Sequence, residues 1–282
     1  MPEILILQSD SRAHALLKGA LDSRYRCRRI HRLKEASTLL PAGGPRAVVL
    51  DFFDPSLSAP LSALRYLRRE QPALALVVAG DFSGREMDLY HLGRASVDGV
   101  VRLETSPSTR EILAVVNAAM ATRLADVVVK TVGQDLPPLA QEAVRWAIEK
   151  AESRPQVSDL AAALALTPRS LSRELRARDL APARTLLLWG RLLQASHFLE
   201  RNRETVENVA FRLGYATGGT LRKALRHHVG CSPTEIVRRG GLRWTLTVFR
   251  KRGLRRSGES KNRWNNARSS KWRAQVQTRK LP

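Results

Sequence analysis

The hydrophobic pattern changes period roughly halfway along the chain. In the first 120 residues, short apolar runs at 3–8, 46–51, 73–79 and 99–103 are rich in Ile, Leu and Val and predict strands. A weaker strand is read at 25–30, where arginines interrupt the alternation. Helical spacing covers 11–21, 58–70, 84–93 and 108–123, the last with Ile112, Val115, Val116, Ala119 and Met120 on one side. Strands alternating with helices in this way predict an α/β doubly wound domain with a parallel sheet. Ligands of such sheets sit at the C-terminal strand ends, which here directs attention to Gln8–Asp10, Asp51, Ala79–Asp81 and Arg102.

Beyond residue 137 the pattern is helical only. A helix at 138–153 takes its apolar face from Leu139, Ala143, Trp146 and Ala147, and the preceding 126–137 reads as a linker punctuated by Pro137-Pro138. The stretch 158–177, SDLAAALALTPRSLSRELRA, then predicts a short helix capped by Ser158, a turn, and a second helix capped by Thr167 with Pro168 in its first position. At about 100° per residue, Arg169, Arg173 and Arg176 share one face of that second helix, opposite Leu171 and Leu175. The arrangement recurs at 205–229, TVENVAFRLGYATGGTLRKALRHHV. There Thr205 caps the first helix, Gly214-Tyr215 makes the turn, and the second helix starts at Thr217. Leu221, Ala224 and Leu225 lie on one side of it, and Arg222, Lys223 and Arg226 on the other with Gly219. Two helix-turn-helix units are therefore expected, joined by an amphipathic helix at 182–201 that packs through Leu186, Trp189, Leu193 and Phe198. Twenty residues make a strut of ~30 Å, close to the ~34 Å between successive major-groove faces of a duplex.

Charge sharpens this picture less than its total suggests. The chain has 282 residues and a net charge of +22, which calls for a polyanionic partner. Yet 15 basic residues and one acid fall from Arg238 to the end, a net +14, while 1–125 and 126–237 each carry only +4. The composition of 240–282 predicts a basic, disordered tail whose Trp244, Trp264 and Trp272 interleave with cations. Such a tail adds sequence-blind, salt-sensitive attraction. The specific expectation rests on the two patterned clusters.

Those clusters carry a resemblance. SDLAAALALTPRSLSREL, the helix with Arg191-Leu192 and Ala195, NVAFRLGYATGGTLRKALRHHVG and Cys231-Ser232-Pro233 together resemble the AraC/XylS-type DNA-binding domain across about 140–239. The resemblance implies that bases are read mainly by Pro168, Arg169, Ser170, Ser172 and Arg173, with Arg176 beside them. It implies a supporting role for Thr217, Gly219, Thr220, Arg222, Lys223 and Arg226, which are expected to grip phosphates. Leu221 and Leu225 stand where family members usually carry Phe, and Gly218-Gly219 opens the second recognition helix.

The N-terminal 120 residues, through Asp51-Phe52-Phe53-Asp54-Pro55, resemble a response-regulator receiver domain, in which Asp51 would accept a phosphoryl group and Asp10 and Asp51 would hold Mg²⁺. The pattern is incomplete. Gln8-Ser9 replaces the acidic pair, Ala79-Gly80 stands at the hydroxyl position, and Arg102-Leu103 replaces the Lys. Mg²⁺ is held by carboxylates plus phosphate, and a planar guanidinium is no positional substitute for an ammonium. A degenerate receiver used for dimerisation or sensing, with no cofactor, is the expectation.

The fold expected is thus an α/β doubly wound, receiver/flavodoxin-like domain at 1–125, a linker at 126–137, an all-α double helix-turn-helix domain at 138–239 and the tail. The function expected is a promoter-DNA-binding regulator, homodimeric through the receiver-like domain, with RNA polymerase as a further partner and no catalysis. No GxGxxG, P-loop, GxSxG or HExxH motif occurs. No apolar run in the chain approaches the ~20 residues of a membrane helix, no signal peptide is visible, and two cysteines cannot frame a disulfide scaffold. These predict a cytoplasmic protein with no membrane partner. His227, His228 and Cys231 lack a fourth ligand for structural Zn²⁺. Cys27 between Arg26 and Arg28 reads as an inert strand thiol, although flanking cations can lower a thiol pKa.

Overall fold

The computed structural model describes residues 3–39, 46–133, 136–200 and 204–255. Five parallel strands form one sheet: β1 (Glu3–Leu7), β2 (Arg26–Ile30), β3 (Ala47–Asp51), β4 (Ala75–Gly80) and β5 (Gly99–Arg102), in the order β2-β1-β3-β4-β5. That order is flavodoxin-like, with its reversal between β1 and β3, where a crevice opens at the strands' C-terminal ends. Strands buried on both faces read as continuous apolar runs, as β3 and β4 do. Edge strand β2 instead exposes Arg26 and Arg28 and turns Cys27 and Ile30 inward, which is why its signal is weak. One face of the sheet packs Ile4, Ile6, Val49 and Val77 under α1 (Ser11–Leu21) and α5 (Thr109–Val132). The other packs under α2 (Leu33–Leu39), α3 (Pro60–Glu70) and α4 (Glu86–Arg94) through Ala36, Leu64, Leu67 and Leu92. Helix α2 is not among the helices predicted from the pattern.

The second half is helical: α6 (Pro138–Glu149), α7 (Val157–Ala163), α8 (Pro168–Ala177), α9 (Ala183–Glu200), α10 (Val206–Arg212), α11 (Gly218–His228), α12 (Pro233–Arg238) and α13 (Gly241–Val248). Its axis is α9, which buries Leu186, Trp189, Leu192, Leu193 and Phe198. A Cβ on Gly190 would lie 2.3 Å from the Ala147 carbonyl oxygen, so glycine lets α9 cross α6 backbone to backbone.

Three expectations change. The span 126–137 is not an extended linker: α5 continues to Val132 and delivers Leu124, Ala125, Val128 and Val132 into the helical core. With 24 residues, α5 is also long and apolar enough by composition to cross a membrane, contrary to the expectation from apolar run length. Its Arg123 and Asp126 are held in ion pairs with Asp98 and Arg145, and its apolar residues are shared between two cores. The tail also begins later than expected. Residues 241–253 form α13 and a π-helical turn whose Leu246, Val248 and Phe249 are buried, with Leu254 behind them; the remaining 256–282, with Trp264 and Trp272, lie outside the described residues.

Polar contacts from Arg212 and Arg46 help to join the halves. Arg212 of α10 donates from Nε to Glu152 Oε1 at 2.9 Å and from Nη2 to Tyr25 Oη at 3.2 Å, with its guanidinium 4.0 Å over the Phe198 ring. Tyr25, which leads into β2, donates to Asn117 Oδ1 of α5. Beside this, Arg46 donates to the His197 carbonyl oxygen at 2.6 Å. A hydrogen bond inside a folded protein contributes about 0.5–1.5 kcal/mol net, and stripping a buried charge of its counterpart costs about 3–5 kcal/mol. Tyr25→Phe is therefore expected to lower unfolding free energy by about 1 kcal/mol. Arg212→Ala, which leaves Glu152 and Tyr25 without their shared donor, is expected to cost more than twice as much, read from urea melts of the full chain.

Candidate nucleic-acid interface

Each recognition helix begins in the same way. Thr167 Oγ1 accepts from Ser170 N at 3.1 Å at the start of α8, and Thr217 Oγ1 accepts from Thr220 N at 3.2 Å at the start of α11. Thr205 caps α10 through Asn208 N at 3.2 Å. Ser158 does not cap α7. The helix starts at Val157 with its cap two residues earlier, at Gln156, whose N donates to Asp159 Oδ2 at 2.8 Å. A shared turn closes each first helix, with Leu166 N bonded to Ala161 O and Tyr215 N to Ala210 O. The left-handed residue of that turn is Ala165, φ 54°, in unit one and Gly214, φ 77°, in unit two. Arg154 packs so tightly on Gly214 that a Cβ there would meet its side chain at 2.2 Å.

Both recognition helices then separate their faces as the wheel predicts. Leu171 and Leu175 of α8, and Leu221 and Leu225 of α11, are buried in one common core. Pro168, Arg169, Ser172, Arg173 and Arg176 are exposed, and Ser170 half-buried, with both halves of the chain in place. Thr217, Thr220, Lys223 and Arg226 are likewise exposed, and Gly219 partly so. Arg222 departs from the expected outward stripe. Its Nη2 pairs with Glu207 Oε1 at 2.9 Å, which draws it sideways onto α10. That contact joins residues 15 apart across a turn, so no helical periodicity announces it. Guanidinium and ammonium groups aligned beside helix N-termini can donate to phosphate oxygens and guanine edges.

At the crevice of the sheet, Asp51 Oδ1 accepts from Phe53 N at 2.9 Å. Burial pushes the Asp51 carboxyl above the usual carboxylate range; the Phe53 amide and Gln8 oppose this, while Asp54 and Asp10 reinforce it. Asp10 is occupied as the cap of α1, accepting from Ala13 N at 2.7 Å. Arg102 is paired with Glu104 at 2.6 Å, and Glu104 also accepts from Phe82 N. The donor set does not fit an oxygen-rich Mg²⁺ shell: one acid is capping a helix and a second position is Gln8. No group of three His, Cys, Asp or Glu suited to a metal occurs among the described residues. Cys231 is buried in the helical core, and the His227 and His228 rings stack edge to face at 4.6 Å. Burial, then Asp22, pushes the Cys27 thiol up to about 12; the strand's alternation turns Arg26 and Arg28 away from it.

The two glycines opening α11 differ in their surroundings. A Cβ on Gly218 would sit 2.5 Å from Glu207 Oε1 and 3.2 Å from Glu207 N, whereas one on Gly219 would meet only Thr217 Oγ1 at 3.5 Å. Ala exceeds Gly in helix propensity by up to about 1 kcal/mol. Gly219→Ala is expected to raise the thermal midpoint and leave sequence preference intact, and Gly218→Ala to lower the midpoint; thermal melts and a binding-site selection check both.

Comparison with known proteins locates the same module. Residues 160–239 match a family model described as a helix-turn-helix domain. No curated protein matches the chain. Similar solved structures include the receiver domain of NtrX from Brucella abortus, at 19% identity, covering 42% of this chain and 98% of that one, with a TM-score of 0.36. A CheY-like receiver domain protein from Methanospirillum hungatei JF-1 is 13% identical, covering 45% and 98%, with a TM-score of 0.38. A DNA-binding transcriptional dual regulator from Escherichia coli K-12 is 20% identical, covering 37% and 94%, with a TM-score of 0.34. The chain's own strand order is flavodoxin-like, and behind that sheet residues 160–239 form a helix-turn-helix domain.

Proposed function

We propose that the chain is a sequence-specific transcriptional regulator that reads promoter DNA through α8 and grips phosphates through α11. On this reading its receiver-like domain works without phosphorylation. The observation that carries it is the pair of Thr-capped helices, each with two buried leucines and an exposed cationic face, set on the single strut α9. Of the two, α8 alone offers exposed Arg side chains at i, i+4 and i+7, Arg169, Arg173 and Arg176, while α11 opens on two glycines and has Arg222 diverted to Glu207. Base choice therefore falls to α8. Unit two adds affinity through Thr217, Thr220, Lys223 and Arg226.

The protein acts in the cytoplasm, catalyses nothing and pairs as a homodimer through its receiver-like domain. Supporting the dimer, α4 exposes Met87 and Tyr90, 65% and 59% accessible. RNA polymerase is a further partner on this reading. Against phosphorylation stand Gln8 at an acidic position, the engaged Asp10 and the Arg102–Glu104 pair.

Two measurements test this. In a random-sequence DNA selection, the chain is expected to return a consensus, and Arg173→Ala to relax one position of it at a cost of about 1–3 kcal/mol. Uniform weakening over all sequences would move Arg173 to a phosphate contact. Incubation with acetyl phosphate and Mg²⁺ followed by intact-mass measurement is expected to show no phosphoryl adduct, and an adduct lost in Asp51→Asn would establish a phosphorylation-switched response regulator instead.

A further inference from the structure

Between the two halves lies a cavity of about 760 Å³, within the range that encloses a small organic ligand. Its walls come from both domains. Met120, Leu124 and Val132 of α5 line one side, and Leu246 of α13 the other. All four are buried in the two cores, so the lining is an apolar surface held open by neighbouring packing. Its polar complement is cationic. Arg123 and Arg46 enter from the α/β side and Arg243 and Lys251 from α13 and the turn after it.

These charges are not equivalent. Arg46 donates to the His197 carbonyl oxygen, and Arg123 is paired with Asp98 and Asp126. Arg243 and Lys251 form no ion pair among the described residues. Among the described residues lining the cavity the one acid, Glu200, already accepts from Leu242 N at 3.0 Å as the anchor of α13. An apolar chamber with two uncommitted cations at its mouth and its carboxylate occupied is complementary to a molecule with a hydrophobic body and one anionic group. We infer that this junctional cavity is a binding site for a small anionic amphiphile: an organic carboxylate, sulfonate or phosphate monoester carrying an aliphatic or aromatic body. A segment of this chain is a poorer occupant. Residues 256–282, which follow directly on the cavity-lining turn, hold eight basic residues and one acid and would bring like charge to a cationic mouth.

Because the walls belong to α5, α9 and α13 together, an occupant binds the docked arrangement of the two halves. It stabilises that arrangement by linkage. The site is independent of any DNA contact, and its test needs no DNA.

The full chain is titrated with 8-anilinonaphthalene-1-sulfonate and, separately, with N-phenyl-1-naphthylamine, which has the same rings without the sulfonate. Expected is saturable one-to-one binding of the sulfonate, about ten-fold or more tighter than the neutral dye, with a rise in thermal midpoint at saturation. Arg243→Gln with Lys251→Gln should remove that preference and leave the neutral dye unchanged. Thr131→Trp and, separately, Thr247→Trp, both at exposed cavity-lining positions, should weaken both dyes about ten-fold or more by filling the space, in chains whose circular-dichroism melts remain cooperative. Equal affinity for the two dyes overturns the proposal, as does sulfonate binding untouched by either tryptophan. Absence of saturable binding, the result if residues 256–282 occupy the cavity, overturns it too.

Discussion

Helix α5 has to satisfy two hydrophobic cores with one continuous backbone. Its first turns give Ile112, Val116 and Ala119 to the sheet, and its last turns give Leu124, Ala125, Val128 and Val132 to the helical half. A Gly- or Ser-rich connection would leave the halves free to reorient. A 24-residue helix instead sets their separation and rotation together, because turning it to suit one core turns it away from the other. Arg123 and Asp126 sit between the two apolar sets and make ion pairs in both directions, to Asp98 at the start of β5 and to Arg145 of α6. Arg212 supplies a second, side-by-side restraint. The junctional cavity is the space these restraints leave unfilled.

The helical half solves a different problem. Two short recognition helices of ten and eleven residues are too short to stand alone in water. Each is held by a threonine cap and two leucines inserted beside α9, so its polar face remains free to carry cations. Unit two gives part of that freedom away: Glu207 draws Arg222 sideways onto α10 and Gly218 lets α10 approach α11 closely. The asymmetry between the units is built into their packing.

Much of this was legible in the sequence where the determinants are local. Periodicity marked the buried strands, the Thr–Pro start of α8 and the Leu171/Leu175 against Arg169/Arg173/Arg176 division, since each depends on residues within a few positions. The features that escaped depend on distant partners. Strand β2 is an edge whose exposed arginines mask its inward Cys27 and Ile30, and the short α2 has too few turns for a period to emerge. The end of α5 lay hidden because Leu124 to Val132 pack on helices that come later in the chain. Basic composition concealed α13, whose Leu246, Val248 and Phe249 count for more than the arginines around them. Nothing near Arg212 in the chain announces that it meets Tyr25, 187 residues away.

The strut α9 has a consequence for the DNA rather than for the protein. Its 18 residues are buried along most of their length, and Gly190 locks it against α6. The distance and twist between the two cationic helices are therefore set before any duplex arrives. On the proposed reading, a duplex meeting both helices would have to adjust to this fixed spacing, and the untouched base pairs between the two contacts would matter through how cheaply they flex.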